Sequence, residues 1–458
     1  MKKQLTEGSI APLLVKLTLP MVWGVFAIIA FNLVDTYFVG QLGTKQLAAM
    51  SFTFPVVMTL GSLAMGLGVG ATSVIARAIG EGDRSRVQRF TTNSLTLAVV
   101  SVVIFVSIGL LTINPLFTAL GATADVMPFI EQYMQIWYFG MVFLVVPMVG
   151  NSAIRASGNT LTPSIIMTIA SVINIVLDPI LILGLWGFPR LELQGAAIAT
   201  VISRATTLVA ALLVLHFKEK MLSLKVPSIQ ETLWCWKDIL HVGLPAAATS
   251  MITPISIGII TSLLATFGAK TVAAFGVASR IESLGLIALV ALSASIAPFV
   301  GQNWGANKYS RVRRAMQLSF IFSLLWGAIV AVILATSAQW LVSLFNKNPQ
   351  VIEIAVRYLW IVPLSYGCAG IIQIASSGFN ALGKPIPSVI MTVLRMFVLY
   401  IPLAYLGSNF FGENGIFAAA SIANLTIGIG AFIWIQKTCS LKNNCNSSEQ
   451  VTETIPSE

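Results

Sequence analysis

The chain has 458 residues, of which 56% are hydrophobic and 10% charged, with a formal net charge of +10 and a mean hydropathy of +0.87. A soluble domain carries about a quarter charged residues, so this composition excludes a soluble globular protein. It predicts an all-α polytopic membrane protein.

Apolar runs of about 20 residues recur along the chain, each long enough to cross a hydrocarbon core of roughly 30 Å. They predict twelve transmembrane helices, at 17–39, 48–76, 92–113, 128–153, 162–186, 194–216, 240–266, 274–301, 315–341, 352–379, 387–408 and 415–436.

Basic residues are distributed unevenly between the two sides that this pattern defines. They concentrate in loops on the side of the N-terminus, at Arg77, Arg84, Arg86 and Arg89, at Lys218, Lys220, Lys225 and Lys237, and at Lys308, Arg311, Arg313 and Arg314. The positive-inside rule therefore predicts cytoplasmic termini in an inner (plasma) membrane. This asymmetry explains most of the net charge, so the predicted macromolecular partner is membrane lipid and not nucleic acid.

The chain contains an internal duplication. A constant shift of 225 residues superimposes Leu19-Pro20 on Leu244-Pro245, Gly43-x-Lys45 on Gly268-x-Lys270, and Ser85-Arg86-Val87 on Ser310-Arg311-Val312. Six helices per repeat give both halves the same membrane orientation, which is typical of two-lobe transporters. The predicted organisation is an N-lobe (1–217), a cytoplasmic linker (218–237), a C-lobe (238–437) and a disordered tail (438–458).

Two carboxylates, Asp35 and Asp178, stand out as lying deep inside apolar stretches of the sequence. Intramembrane acids are costly and are interpreted first as functional. Asn32 precedes Asp35 by three residues, and Asn174 precedes Asp178 by four, so each pair occupies one helix face. The corresponding positions of the second half carry apolar residues, which places the predicted site in the N-lobe. Structural roles are the alternatives: Asp178 could cap a helix, Asp35 could be a solvated acid at the outer interface, and the asparagines could form interhelical contacts.

Burial favours the neutral form of a carboxylate, and two nearby carboxylates disfavour joint ionisation. Asp35 is therefore predicted to bind a proton near neutral pH. Pro20 and Pro179 each remove a backbone donor from a predicted helix, which makes them candidate hinges. An anionic pocket would also attract a cationic substrate, so proton and drug would compete for one site.

Four cysteines are scattered without a CxxC pattern or a Cys/His cluster. The sequence therefore predicts no metal site and no cofactor. It also lacks a nucleophile constellation beside the acids, which argues against an enzyme.

The two six-helix halves, the segment FNLVDTYFVGQLG with Asp35, and the segment NIVLDPILILG with Asp178 resemble multidrug and toxin extrusion (MATE) transporters, specifically the DinF-like branch. This resemblance implies two lobes that export cationic or amphipathic drugs in exchange for protons or sodium. It also implies a cation-responsive network of Asp35, Asn174, Asp178 and a sixth-helix threonine, for which Thr200 is the nearest candidate. The NorM-like branch adds acids in helices seven and ten, and this chain departs from that pattern.

Proton-coupled drug efflux is thus the leading interpretation. A sodium-coupled antiporter is an alternative, because Asp35, Asn174, Asp178 and Thr200 offer the oxygen ligands that a small cation prefers. A flippase of lipid-linked precursors is another, and it would require a basic cavity for a diphosphate. A channel is disfavoured because no segment resembles a selectivity filter.

Overall fold

The computed structural model of the chain describes residues 5–40, 44–223 and 227–452, and at positions 32, 36, 39, 40, 44–48 and 440–452 it describes the backbone alone. Within these ranges all regular structure is helical. The predicted all-α class is confirmed.

The first half of the chain forms six long helices. They are α1 (Ile10–Gly40), α2 (Thr44–Glu81), α3 (Arg84–Ala119), α4 (Met127–Ala156), α5 (Leu161–Leu183) and α6 (Glu192–Leu213). Gly184 ends α5 in the left-handed region with φ of 75°, a conformation that favours glycine. A π-helical turn, Val214–Lys218, extends α6.

The helices of the second half are more often interrupted, and several of them are short. They are α7 (Ile229–Ala265), α8 (Ala269–Gly285), α9 (Ile287–Gly305), α10 (Tyr309–Phe345), α11 (Pro349–Ile361), α12 (Tyr366–Ala381), α13 (Ile386–Val393), α14 (Ile401–Phe411) and α15 (Glu413–Thr452). A 3₁₀ turn, Val362–Ser365, joins α11 to α12, and a π-helical segment, Leu394–Tyr400, joins α13 to α14. Residues 453–458 lie outside the described residues, and the disorder of the tail stays a prediction.

The described ranges contain twelve helical segments long and apolar enough to cross a membrane, which confirms the predicted number. The prediction of one continuous helix over 274–301 is wrong, because α8 and α9 meet there at Leu286. The carbonyl of Gly285, beside this break, accepts a hydrogen bond from the indole Nε1 of Trp326 at 2.9 Å.

The chain forms two compact units. Leu19–Ala247 is called here the N-terminal unit, and Met1–Thr18 together with Ala248–Glu458 the C-terminal unit. The start of α1 therefore belongs to the C-terminal unit, and the start of α7 to the N-terminal unit. Both helices pass from one unit to the other close to a proline, Pro20 in α1 and Pro245 in α7, and the duplication relates these two prolines.

The core of the N-terminal unit lies among α2, α3 and α4, around buried side chains such as Phe90. The start of α7 packs tightly on α2 at two glycines. A Cβ on Gly70 would lie 2.3 Å from the carbonyl oxygen of Ile239, and one on Gly66 would lie 2.4 Å from that of Gly243. These glycines therefore permit close approach of the two backbones.

The C-terminal unit holds the segment that precedes α1. Arg311 donates through Nη1 to the carbonyl of Gly8 at 2.8 Å, and Asn303 donates through Nδ2 to the carbonyl of Leu5 at 3.2 Å. Leu17 is buried in the apolar cluster formed with α9, α10 and α12. The start of α1 is thus fixed by polar and apolar contacts together.

Candidate functional site

The predicted pair on α5 forms a buried hydrogen bond. Asn174 and Asp178 are both fully buried, and the Nδ2 of Asn174 donates to the Oδ1 of Asp178 at 3.2 Å. The Oδ2 of Asp178 is also buried and has no partner among the residues that the structure describes. A buried carboxylate with an unsatisfied oxygen is costly when ionised, so this group favours a bound cation or proton.

Asp35 lies on α1 in the same unit, close enough to Asp178 for electrostatic repulsion between the two carboxylates. Its side chain is half-buried, and its Oδ1 is buried without a hydrogen-bond partner in the described part of the chain. The structure thus brings together the two acids that the sequence singled out.

Tyr133 on α4 is a neighbour of Asp35 that the sequence reasoning missed. Its phenol lies within electrostatic range of the Asp35 carboxylate. The internal duplication could have identified Tyr133, because the shift of 225 residues aligns it with another tyrosine, Tyr358.

The structure gives fewer contacts for the other predicted residues. The side chain of Asn32 lies outside the described residues. Thr200 lies half-buried on α6, where its carbonyl accepts a hydrogen bond from the hydroxyl of Ser203 at 2.9 Å. Pro20 and Pro179 lie inside α1 and α5, each of which is helical on both sides of its proline.

An open cavity of about 150 Å³ lies inside the N-terminal unit between α1, α4, α5 and α6. Its apolar lining includes Phe31 and Pro147, and its polar lining includes two arginines, Arg155 and Arg204. The lining residues include no carboxylate among those described, so Asp35 and Asp178 lie outside the cavity wall. The charged side chains in the described lining are two arginines. A shared anionic pocket for proton and drug therefore stays a prediction, and this cavity is a separate site.

The two arginines come from different helices and are held differently. Arg155, at the end of α4, donates through Nη2 to the hydroxyl of Ser152 at 2.7 Å. The guanidinium of Arg204, on α6, lies 5.6 Å from the ring centroid of Phe31, in cation–π range. Neither arginine has an ion-pair partner within the described ranges. The sequence reasoning missed Arg155 because the predicted span ended at residue 153.

The acids and the cavity share two helices. On α1, Phe31 lines the cavity and Asp35 follows four residues later; on α5, Ser171 lines the cavity and Asp178 follows seven residues later. These spacings correspond to one and two helical turns, so each acid lies on roughly the same face as a cavity residue. A movement of either helix would therefore change the cavity and the acids together.

A further carboxylate, the half-buried Glu282, lies in the C-terminal unit and was not among the acids that the sequence singled out. Glu282 on α8 accepts a hydrogen bond from the hydroxyl of Tyr358 on α11 at 2.5 Å. The guanidinium of Arg395 lies within electrostatic range of Glu282. Glu282 lies within a predicted span beside Arg280, and the sequence alone did not show that its side chain meets Tyr358 from a distant helix.

Comparison with known proteins gives consistent matches along both halves. A family model described as MatE matches residues 20–180 and 245–406. A FAD transporter from Shewanella oneidensis is 39% identical over 435 residues, covering 95% of this chain and 96% of its own length. A probable multidrug resistance protein, YoeA from Bacillus subtilis, is 26% identical over 418 residues, covering 89% and 90%.

Solved structures agree with these matches. The crystal structure of the Vibrio cholerae MATE transporter VcmN in its bent form is 32% identical, has a TM-score of 0.89, and covers 95% of this chain and 98% of that one. The family model accounts for most of both halves, and the similarity extends over nearly the whole length. The chain therefore belongs to the MATE family of multi-pass plasma-membrane transporters, which are not enzymes.

Proposed function

We propose that this protein is a secondary active transporter that exports an anionic, aromatic substrate of the flavin adenine dinucleotide type in exchange for protons bound at Asp35 and Asp178. The observation that carries the substrate class is the cavity lined by Arg155 and Arg204 without a described carboxylate. The relative from Shewanella oneidensis, named as a FAD transporter, supports the same class.

The chemistry of the cavity suits a diphosphate attached to ring systems. Guanidinium groups bind phosphate oxygens through paired hydrogen bonds, and they do so more strongly away from water. Phe31 and the apolar side chains around Pro147 offer surfaces for flat rings, while Asn151 offers an amide for orientation.

Coupling to protons is proposed to occur beside the cavity and not inside it. Deprotonated Asp35 and Asp178 repel each other, and protonation removes this repulsion and supplies a new hydrogen-bond donor. Because α1 and α5 carry both acids and cavity residues, protonation changes the cavity through these helices. Asn174 forms part of the network, and Asn32 and Thr200 are proposed members. Pro20 and Pro179 are the proposed hinges.

The proposed orientation follows from the basic loops. Arg84 and Arg89 at the start of α3, with Arg311 and Arg314 at the start of α10, support a cytoplasmic location for these helix starts and for both termini. The same loops are proposed to associate with anionic membrane lipids.

Export of cationic drugs is the second candidate. Relatives such as YoeA are named as probable multidrug resistance proteins, and the buried, unpartnered oxygens of Asp35 and Asp178 would attract a cation. The same oxygens leave sodium as the alternative coupling ion. A lipid-linked diphosphate would also satisfy the two arginines, so a flippase is a further outcome of the test.

The experiment is equilibrium binding to the purified, reconstituted protein, with flavin adenine dinucleotide, an ethidium-like cation and a lipid-linked diphosphate as separate probes. The loss of a charged hydrogen bond costs about 1.5–3 kcal/mol. The variants Arg155→Ala and Arg204→Ala should therefore weaken dinucleotide binding by about tenfold to 100-fold, and Arg155→Lys should weaken it less.

The matched control is Arg190→Ala, since Arg190 is exposed and lies outside the cavity. It should leave dinucleotide affinity unchanged. Tight binding of the cation that survives both cavity variants, together with no measurable dinucleotide binding, would select the drug-export candidate. Binding confined to the lipid-linked probe would select the flippase.

A further inference from the structure

Besides the N-terminal acids and the arginine cavity, the described residues include a further group of polar side chains, which are buried or half-buried. It lies in the C-terminal unit and consists of Glu282 on α8, Tyr358 on α11, Tyr366 on α12, and Arg395 and Tyr400 on the π-helical segment. We call this group the Glu282 cluster. It shares no residue with the arginine cavity.

The hydrogen bonding of the Glu282 cluster is incomplete. The hydroxyl of Tyr358 donates to the Oε2 of Glu282 at 2.5 Å. The hydroxyl of the fully buried Tyr366 and the Nε of Arg395 are buried without a partner in the described part of the chain. Arg395 and Glu282 interact electrostatically, yet among the described residues they form no direct ion pair. If this group were a purely structural ion pair, its buried hydrogen-bond donors would be expected to have acceptors.

The duplication links this cluster to the acids of the N-terminal unit. At the shift of 225 residues Tyr133 falls on Tyr358, within a stretch where Gly158 also falls on Gly383. Tyr133 lies within range of Asp35, and Tyr358 is bonded to Glu282. Each unit therefore presents a tyrosine at the same repeat position to a carboxylate, although the carboxylates come from different helices.

The backbone around the cluster is irregular in three places. The break at Leu286 follows Glu282 by one turn, the 3₁₀ turn Val362–Ser365 separates Tyr358 from Tyr366, and Arg395 lies in the π-helical segment Leu394–Tyr400. The corresponding helices of the first repeat, α2, α4 and α5, have no such interruption. Breaks and π-turns mark positions where a helix changes conformation at low cost.

We infer that the Glu282 cluster is a second proton-binding site, in which protonation of Glu282 alters the break between α8 and α9. Ionised Glu282 offsets the charge of Arg395 and accepts the Tyr358 hydroxyl. Protonation removes the charge that offsets Arg395, adds an O–H donor, and makes the carboxyl group a weaker acceptor for the Tyr358 hydroxyl. The amide of Leu286 donates to the carbonyl of Glu282 at 3.0 Å, so the side-chain change begins one hydrogen bond from the break.

Within the Glu282 cluster, Glu282 is the group expected to gain or lose a proton in the physiological pH range. The phenols of Tyr358, Tyr366 and Tyr400 and the guanidinium of Arg395 hold their protons across the physiological range. The neighbouring α9 contains no charged residue. The basic residues of α10 lie at its start, from Arg311 to Arg314, more than ten residues before Trp326, which contacts the break.

The test is hydrogen–deuterium exchange of the full-length protein in lipid nanodiscs, followed on peptides that cover 283–290 and corrected for intrinsic pH dependence. In the wild type, exchange in this segment should change by about tenfold between neutral and acidic pH, with a single midpoint. Glu282→Gln should fix the acidic value at every pH. Tyr358→Phe should fold and move the midpoint, because it removes one donor and keeps the ring.

The control for a nearby exposed carboxylate is Glu353→Gln, since the Glu353 side chain is 65% exposed and pairs with Arg357. It should behave like the wild type, and Asp35→Asn should also keep the transition. A wild type with no transition in this segment would overturn the inference, and so would a transition that persists in Glu282→Gln or disappears in Asp35→Asn. None of these outcomes depends on which substrate the arginine cavity binds.

Discussion

Asp178 in the N-terminal unit and Glu282 in the C-terminal unit are both carboxylates inside apolar helices, but their surroundings differ in charge. Asp178 faces Asn174 and a second acid, Asp35. Glu282 faces Tyr358 and the guanidinium of Arg395. The acid pair is neutral with protons bound, whereas the Glu282 cluster is neutral without one. The two related units therefore surround their carboxylates with groups of different charge.

This comparison explains why the acid pair is the proposed coupling site. A bound proton or other cation would neutralise the negative charge of the acid pair, because no described basic group lies beside the two carboxylates. The Glu282 cluster compensates its own charge, so its protonation would modulate the conformation of the C-terminal unit and would not be needed for each transport cycle.

Asp35→Asn and Asp178→Asn should each reduce gradient-driven export to the background rate, because an amide cannot exchange a proton. Substrate binding to the arginine cavity should persist, since neither acid lines it. Export and equilibrium binding measured on the same preparations check this.

The matched substitution in the second repeat is at Ile260, the counterpart of Asp35. Ile260 is fully buried, so Ile260→Val, which costs about 0.5–1.5 kcal/mol, is a cleaner control than a change to alanine. It should retain most of the transport, and so should Ile401→Ala, the predicted counterpart of Asp178. Losses as large as those of the aspartate variants would show that both units share the coupling.

Gly70→Ser should destabilise the N-terminal unit by about 1–3 kcal/mol, because its Cβ would overlap the carbonyl of Ile239. The substitution installs the residue found at the equivalent position of the second repeat, Ser295, whose hydroxyl donates to the carbonyl of Leu17. Thermal unfolding would measure the change. Gly61→Ala has open space around the added Cβ, and an equal effect there would argue against the packing explanation.

Tyr133→Phe should have the smallest effect, a change of about two- to tenfold in the export rate at a given pH, since it removes one hydroxyl near Asp35. Tyr358→Phe should leave the maximal export rate closer to that of the wild type. Export rates measured across a pH series for both variants would separate the coupling site from the modulating one. Equal effects of the two substitutions on the export rate would contradict the proposed division between a coupling site and a modulating site.

The sequence predicted the helix number, the duplication and the one-face pairing of Asn174 with Asp178, because apolar run length and helical spacing are local properties. It did not predict the break at Leu286, beside which Trp326 of another helix donates to the Gly285 carbonyl. A tertiary contact of this kind has no local signature.

The charge of the cavity was also beyond the sequence reasoning. Arg155 followed the end of an apolar run and was counted with the cytoplasmic loop, whereas α4 continues to Ala156 and places it in the cavity wall. Similarly, Glu282 becomes functionally suggestive once Tyr358, distant in sequence, is seen to donate to it. In both cases the informative neighbours come from distant parts of the chain.

The most direct test of the account is uptake of flavin adenine dinucleotide into inside-out vesicles, with proton and sodium gradients imposed separately. A lumen more acidic than the medium should drive uptake, since the lumen corresponds to the outside of the cell. A protonophore should stop uptake even with sodium present, and Asp35→Asn should abolish it. Sodium-driven uptake that persists after the protonophore and is lost in Asp35→Asn would contradict proton coupling and place sodium among the same oxygens.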